Sequence, residues 1–148
     1  MRGKARWAAV ANAVGEAKEN VGGDAETLFK AVEARAAMGT GDMKAAGTAF
    51  AEYASEAEDS SLMPLILENQ GRAAEEQKQV GEAAGFYEKV AGLDNLYYKV
   101  RGNMLLGDLY NPNGGAGKDK GKAAQYYDKA LAVLKPADGQ VLGPALRA

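Results

Sequence analysis

The sequence KAAQYYDKAL, residues 122–131, contains a small residue followed four positions later by an aromatic residue. The chain holds three copies of this pair, at Ala46/Phe50, Ala83/Tyr87 and Ala123/Tyr127. Successive copies are 83 − 46 = 37 and 123 − 83 = 40 residues apart. A period of this length in helical segments is typical of helical repeat arrays. Because such arrays offer an extended surface to a partner, the pattern favours binding over catalysis.

Apolar spacing and helix-capping residues around these pairs predict seven helices and almost no strand. The predicted helices cover about residues 3–20, 25–38, 43–57, 62–77, 80–91, 96–110 and 121–134. Asp24, Asp42 and the run Asp59-Ser60-Ser61 are the predicted N-caps of three of them, and Pro136 is predicted to end the last helix. The sequence therefore indicates an all-α fold.

The short connections between these helices predict antiparallel hairpins within one domain over residues 1–148. The predicted parts are an N-terminal capping helix at 1–22, hairpins at 24–58, 61–92 and 95–136, and a tail or truncated helix at 137–148. Helices that pack about 8–10 Å apart need small residues where their backbones approach. Gly71 and Gly107 meet that need on the first helices of two hairpins, and the aromatic residues are predicted to fill the adjacent gaps.

The composition excludes several classes of function. The net charge is −2, and acidic and basic residues are interspersed, so the chain lacks the basic stripe that nucleic-acid binding requires. It has no Cys and no His, which removes thiol chemistry, the usual general base and the commonest metal ligand. We therefore predict a chain that is not an enzyme and holds no cofactor or metal. No apolar run approaches the roughly 18 residues of a membrane span, so no direct membrane insertion is expected.

The Gly- and Lys-rich loop at 111–122, NPNGGAGKDKGK, is the segment that most suggests a ligand site. A phosphate-binding P-loop needs a Gly five residues before Gly-Lys, and this Gly is missing before both Gly117-Lys118 and Gly121-Lys122. The alternating ligand pattern of a calcium loop, counted from Asn111, stops at Gly115. The loop is therefore predicted to be a flexible insertion between helices.

The last predicted hairpin resembles a tetratricopeptide repeat (TPR). That family places small, aromatic and small residues on its second helix, as at Ala123, Tyr127 and Ala130, and the run 106–110, LGDLY, is similar to its Leu-Gly-x-x-Tyr signature. The other two hairpins are similar to the family at Ala34, Ala46, Phe50, Gly71, Ala83 and Tyr87. The resemblance covers about residues 24–136 and implies a right-handed superhelical array of α-α hairpins.

The chain departs from the TPR pattern in two respects. The family period is about 34 residues, and the signature Trp is absent from all three hairpins. The first helix does carry Trp7, Val10, Ala11 and Val14 at the signature spacing, so a pairing of helix 1 with helix 2 is an alternative. The stretched period and acidic character also resemble the envelope-anchored bacterial TPR proteins that assist the Sec translocon. That resemblance implies a periplasmic or cell-envelope location, whereas a cytoplasmic one applies if Met1 is the native start.

The TPR resemblance also implies a concave groove lined by the first helix of each hairpin. The family's groove positions fall on Leu28, Ala31, Arg35, Met38, Leu65, Glu68, Arg72, Glu75, Arg101, Met104 and Asp108. These residues lack the Lys and Asn with which some TPR proteins clamp a chaperone's C-terminal carboxylate, so that ligand is disfavoured. We predict a non-catalytic protein-protein interaction module, an adaptor or scaffold, that binds a helix or peptide of a partner protein here. The alternatives are a structural subunit packed permanently in a larger, membrane-associated assembly, and a groove filled by the protein's own C-terminal helix.

Overall fold

A computed structural model describes residues 2–18, 24–56 and 62–135 of the chain, and every regular element in these ranges is an α-helix. The elements are α1 Arg2–Lys18, α2 Asp24–Thr40, α3 Met43–Glu56, α4 Met63–Glu76, α5 Val80–Ala91, α6 Leu96–Tyr110 and α7 Lys120–Leu134. The all-α class and the seven helices predicted from the sequence are confirmed for this part of the chain. The predicted bounds of α5 and α6 match the observed ones to the residue.

Side-chain caps begin three of the helices. The backbone N–H of Ala45 donates to Asp42 Oδ1 at 3.0 Å, as predicted. Asn95 caps α6 by accepting from Tyr97 N at 2.9 Å, and Asp119 caps α7 by accepting from Lys122 N at 3.0 Å. Each cap satisfies one of the N–H groups that a helix start leaves unpaired.

At two of the predicted N-caps, the structure places another residue in the N-cap position or includes the predicted residue in the helix. α2 includes Asp24 as its first residue, one position later than an N-cap. The predicted Asp59-Ser60-Ser61 cap lies outside the described residues, and the N-cap position of α4 is held by Leu62, which makes no capping hydrogen bond. Pro64 sits in the first turn of α4, where its missing N–H is harmless. The predicted stop at Pro136 also lies outside the described residues, and α7 ends at Leu134.

The turns after α2 and α4 have the same geometry. Gly41 and Lys78 both adopt a left-handed backbone, with φ of 92° and 60°. In the first turn Asp42 N donates to Ala37 O at 2.9 Å, and in the second Gln79 N donates to Ala74 O, also at 2.9 Å. These are Schellman motifs, which end a helix and lead the chain directly into the next one. The two turns are 78 − 41 = 37 residues apart, the same spacing as the first two small–aromatic pairs.

Backbone contacts divide the chain into two compact units, Met1–Tyr87 and Glu88–Ala148. In the first unit α2 packs against both α1 and α3, and α3 packs against α4. An ion pair between Lys30 and Glu56 joins the start of α2 to the end of α3, so these two helices run antiparallel. Since α2 contacts both neighbours, both pairings considered from the sequence exist as contacts.

The core of the first unit is built from small residues and aromatic rings. One cluster contains Ala34, Ala46, Phe50 and Ala73, and Tyr53 packs on Ile66 beside it. The ring of Tyr87 lies directly on the backbone of Gly71, where an added Cβ would overlap it. Small residues at these points therefore allow the helices to approach while the aromatic rings supply the buried apolar area.

The second unit repeats this arrangement with α6 and α7. The ring of Tyr127 lies on Gly107 as that of Tyr87 lies on Gly71, and Gly102 approaches the backbone of Ala91 too closely to admit a side chain. Leu105, Leu106, Leu109, Ala123 and Ala130 form the buried face between the two helices. The glycine–aromatic contact expected from the sequence is thus observed once in each unit.

The Gly-rich loop between α6 and α7 folds back on the end of α6. Gly117 N donates to Leu109 O at 2.8 Å, and Asp119 N donates to Tyr110 O at 2.7 Å. Gly115 is buried against the carbonyl oxygens of Asp108 and Leu109, where no side chain would fit. The loop is therefore a compact cap on the last turn of α6, and not the flexible insertion predicted from its composition.

Candidate functional site

The first unit contains an open groove of about 830 Å³ between α2 and α4, closed at one side by α1. α1 contributes Trp7, and α3 contributes Phe50 and Tyr53 at the base. The remaining lining residues come from α2, α4 and the residue before α4: Ala31, Val32, Arg35, Leu62, Leu65, Ile66, Glu68, Asn69 and Arg72. Most of this surface is apolar, so water in the groove meets few hydrogen-bonding partners.

Three large aliphatic side chains of the groove remain exposed to solvent. Val32 and Leu62 are each 38% exposed, and Leu65 is 57% exposed. Such side chains are normally buried, and a patch of them on a folded protein marks an interaction surface. Because the lining itself is accessible, the groove is an open surface and not an enclosed cavity for a small molecule.

Trp7 forms one wall of the groove through contacts with α2. Its indole ring lies on Gly39, where an added Cβ would overlap the ring. On the groove side the guanidinium carbon of Arg35 lies 5.4 Å from the indole ring centroid, a cation–π contact. Arg35 also donates from Nη1 to Met38 Sδ at 3.9 Å. The ring is therefore fixed against α2 by the absence of a side chain at position 39.

The charged residues of the groove leave a positive balance. Arg72 donates to Glu68 Oε1 from Nη2 at 2.7 Å and from Nε at 3.2 Å, so these two charges offset each other. Arg35 has no carboxylate partner among the residues that the structure describes; its contacts are the Trp7 ring and Met38. One guanidinium at the edge of an apolar groove is suited to an acidic group on a ligand.

Five of the predicted groove residues are brought together here: Ala31, Arg35, Leu65, Glu68 and Arg72. Met38 instead packs against the core cluster around Ala34. Glu75 accepts a hydrogen bond from the Tyr87 hydroxyl at 3.0 Å and does not line the groove. α2 includes Leu28, but its side chain lies outside the described part of the chain.

The other three predicted residues belong to the second unit. Arg101 is half-buried, and Met104 is exposed on the same helix, α6. Asp108 is exposed and accepts a hydrogen bond from the Tyr127 hydroxyl at 2.6 Å. Asp108 therefore has a structural partner within its own hairpin.

The prediction from sequence missed the six residues that give the groove its apolar character, together with the polar Asn69: Trp7, Val32, Phe50, Tyr53, Leu62 and Ile66. One signal was available for the wall residue, because Trp7 is the only Trp of the chain and starts the apolar stripe of α1. Val32 follows the predicted Ala31 directly in the sequence and lines the same groove.

Three tyrosines have raised pKa values. Burial, followed by the charge of Glu75 and the hydrogen bond to it, raises the pKa of the Tyr87 hydroxyl well above its usual range. The hydrogen bond to Asp108 raises the pKa of Tyr127, and burial with the charge of Glu88 raises that of Tyr126. In each case the neutral phenol is the form that the fold stabilises, and each hydroxyl donates a hydrogen bond to a carboxylate.

The second unit also carries a stacked group of rings and cations. The rings of Tyr110 and Tyr126 stack with centroids 5.9 Å apart and an interplanar angle of 8°. Lys122 lies 4.8 Å from the first ring centroid and Lys129 lies 4.7 Å from the second. These contacts join α6 to α7 at the surface and use the aromatic faces that a stacking ligand would need.

The described residues contain no cluster of three or more acidic side chains placed to hold a metal ion. None of the described helices is both long enough and apolar enough to cross a membrane, in line with the prediction of no membrane insertion. No protein-family model, no curated protein and no solved structure matches this chain.

Proposed function

We propose that this chain is a non-catalytic protein-interaction module whose groove binds one face of a partner helix. The observation that carries the proposal is the open apolar groove between α2 and α4, with Trp7 as its wall and Leu65 exposed in it. An α-helix is about 10 Å across, and its apolar side chains at i, i+3, i+4 and i+7 can enter such a groove together.

A TPR-like array is the proposed architecture behind this function. Its support is the repetition of one hairpin design: Gly71 under Tyr87 and Gly107 under Tyr127. The turns at Gly41 and Lys78 repeat with the same 37-residue spacing as Ala46 and Ala83. In arrays of this type the first helix of each hairpin faces the ligand, and α2 and α4, which line the groove, would be these first helices.

The groove's charge defines the partner further. Arg35 lies beside the apolar wall with no carboxylate partner in the described residues, so an acidic residue next to the partner's apolar face would gain a charge-assisted hydrogen bond. The ligand we propose is therefore an amphipathic helix with large aliphatic or aromatic anchors and at least one flanking Asp or Glu. For such a peptide we expect an affinity on the order of micromolar, because binding must offset the ordering of the peptide.

The experiment is a selection of displayed random peptides on the immobilised full chain, followed by titration of the enriched peptides. Since Trp7 is the only Trp and lines the groove, peptides without Trp can be followed by its emission. The groove variant is Leu65→Asp, and Leu131→Asp is the matched control because Leu131 is 59% exposed on α7. Neither substitution removes a buried side chain, so both variants should remain folded.

We expect saturable changes in Trp7 emission for the wild type and for Leu131→Asp. Leu65→Asp should bind at least tenfold more weakly, because it places a charge among apolar contacts. A tenfold loss of affinity corresponds to about 1.4 kcal/mol of binding free energy. Reversal of Arg35 to Glu should weaken binding of acidic peptides more than of neutral ones. Equal affinity of the Leu65→Asp and Leu131→Asp variants would overturn the assignment of this groove.

A permanent structural subunit is the second candidate. Its support is the set of exposed large apolar side chains outside the groove: Leu96, Tyr97, Met104 and Leu131. A subunit of this kind should self-associate or unfold at low concentration when isolated, whereas a recruiting module should be a folded monomer. Sedimentation velocity together with circular dichroism over a range of concentrations separates the two.

A further inference from the structure

The loop that joins α6 to α7 has an exposed tip. Pro112, Asn113 and Gly114 are exposed, whereas the next residue, Gly115, is buried. The tip is a tight turn closed by two hydrogen bonds to the carbonyl oxygen of Asn111, from Gly114 N at 3.3 Å and from Gly115 N at 2.8 Å. The turn belongs to the second unit and contributes no residue to the apolar groove of the first.

Asn113 combines a reactive sequence with an accessible side chain. It is the one asparagine of the sequence that precedes a glycine, and its exposed carboxamide makes no hydrogen bond to any residue that the structure describes. A Cβ on Gly114 would meet nothing within 4 Å, so the space around this residue is open. The hydrogen bond from Gly114 N is long at 3.3 Å and therefore holds this nitrogen weakly. A backbone nitrogen without a neighbouring side chain can thus reach a free carboxamide carbon.

Other asparagines of the described chain lack one or both of these conditions. Asn69 and Asn103 lie within helices, and each donates from its carboxamide to the carbonyl oxygen four residues earlier, at 2.9 and 2.8 Å. Asn95 is engaged as the N-cap of α6. Asn111 precedes Pro112, whose ring nitrogen carries no hydrogen. These four positions are internal references for the reactivity of the loop tip.

We propose that Asn113 deamidates spontaneously, which makes the loop tip a site of covalent modification. The nitrogen of Gly114 forms a bond to Asn113 Cγ and gives up its proton, and the carboxamide nitrogen leaves as ammonia, so that a cyclic imide remains. Water then opens the imide at either carbonyl. Opening at the main-chain carbonyl gives isoaspartate, and opening at the side-chain carbonyl gives aspartate. The sum is the uptake of water and the release of ammonia, with no change of oxidation state.

The isoaspartate product should weaken the contact of the loop with α6. It routes the main chain through the side chain and so adds one methylene between the carbonyl oxygen of Asn111 and the N–H of Gly115. Gly115 has no room to shift, because it lies against the carbonyl oxygens of Asp108 and Leu109. The bond from Gly117 N to Leu109 O, 2.8 Å long, follows directly in the chain. Aspartate adds the same negative charge near the C-terminal end of α6 but leaves the main chain unchanged.

The test is an incubation of the full chain at neutral pH, with samples digested at intervals and analysed by mass spectrometry. Isoaspartate is identified by labelling with an isoaspartate-specific methyltransferase. We expect conversion at Asn113 while Asn69 and Asn103 remain amides. The Gly114→Ala variant should fold, since its Cβ has open space, and should react more slowly by roughly tenfold or more, which corresponds to about 1.4 kcal/mol in the barrier.

Hydrogen exchange then tests the effect on the loop. The isoaspartate fraction of the aged chain is compared with Asn113→Asp, the matched control that has the charge without the longer main chain. The amides of Gly117 and Asp119 should lose protection in the isoaspartate fraction and keep it in the control. Conversion at Asn113 no faster than at Asn103, or an equal rate in Gly114→Ala and the wild type, would overturn the modification site. Equal protection in the two samples would overturn its effect on the loop.

Discussion

Replacement of Gly71 by alanine adds one methyl group where α4 lies against the ring of Tyr87. The new Cβ would lie 2.7 Å from ring atom Cδ1 and 2.9 Å from Cζ, well inside any normal carbon–carbon contact. The ring cannot move aside easily, because it is 1% exposed and its hydroxyl donates to Glu75 at 3.0 Å. The helices must therefore separate, or the ring must leave its rotamer.

The magnitude follows from two opposing effects. Overpacking of a core typically costs 1–3 kcal/mol, and overlap with a fixed ring puts this site at about 3 kcal/mol. Alanine in place of glycine within a helix returns about 1 kcal/mol. The Gly71→Ala variant should therefore be less stable than the wild type by about 2 kcal/mol. Gly85→Ala is the matched control, because a Cβ there meets nothing within 4 Å, and it should be more stable by about 1 kcal/mol.

The assay is urea unfolding followed by far-ultraviolet circular dichroism, with both substitutions also made in a Tyr87→Leu background. Without the ring, Gly71→Ala should lose most of its penalty, which gives a coupling energy of about 2–3 kcal/mol in the double-mutant cycle. Gly85→Ala should behave alike in both backgrounds. If Gly71→Ala stabilises the chain as Gly85→Ala does, or if the cycle shows no coupling, then close approach at Gly71 does not hold α4 to α5.

Three further predictions concern turns, caps and pH. Lys78→Gly replaces a lysine in the left-handed conformation in the turn after α4, and it should raise the free energy of unfolding by about 0.5–1 kcal/mol in urea unfolding. A lower free energy of unfolding would contradict the left-handed conformation of residue 78. Asp119→Ala removes the cap of α7 and should cost about 1 kcal/mol in the same assay, whereas Asp119→Asn should be nearly neutral. Burial and Glu75 raise the pKa of Tyr87 above its unfolded value near 10, so the contribution of this group to stability should be constant below about pH 10 and fall above it. Tyr87→Phe should flatten that alkaline fall, and an unchanged slope in the urea midpoint would contradict it.

The helices were predictable because their start and stop signals are local. Gly92 and Asn95 mark the boundary between α5 and α6, and the cap at Asn95 acts within three residues of its own position. The start of α4 was less predictable, since Leu62 gives no capping signal and the first turn depends on Pro64. Local chemistry thus predicts a boundary when a side chain makes the cap.

The groove was only partly predictable because it depends on which helices meet. Ala31, Arg35 and Leu65 follow from helical spacing on α2 and α4. Trp7 could not be placed from its own helix, because its position depends on the contact with Gly39, which is 39 − 7 = 32 residues away. Long-range contacts of this kind leave no periodic signal in a single sequence.

The Gly-rich loop shows the opposite case, in which composition suggested less order than the structure has. Its glycine content predicts a flexible insertion, yet Gly115 is buried and the backbone N–H of Gly117 donates to Leu109 O at the end of α6. Glycine is used there because the chain passes over the carbonyl oxygens of Asp108 and Leu109 at a distance that excludes a side chain. The same residue type therefore supports either flexibility or close packing, and only the contacts distinguish the two.

The central claim, that the groove between α2 and α4 receives a partner helix, is tested most directly by site-specific photo-cross-linking. A photoreactive amino acid placed at Leu65, in the groove, is compared with one at Leu131, equally exposed on α7. In extracts of its source, position 65 should become linked to an amphipathic helix with an acidic residue near the linked face, and position 131 should not. Equal labelling at the two positions, or linkage of position 65 to segments with no apolar face, would contradict it.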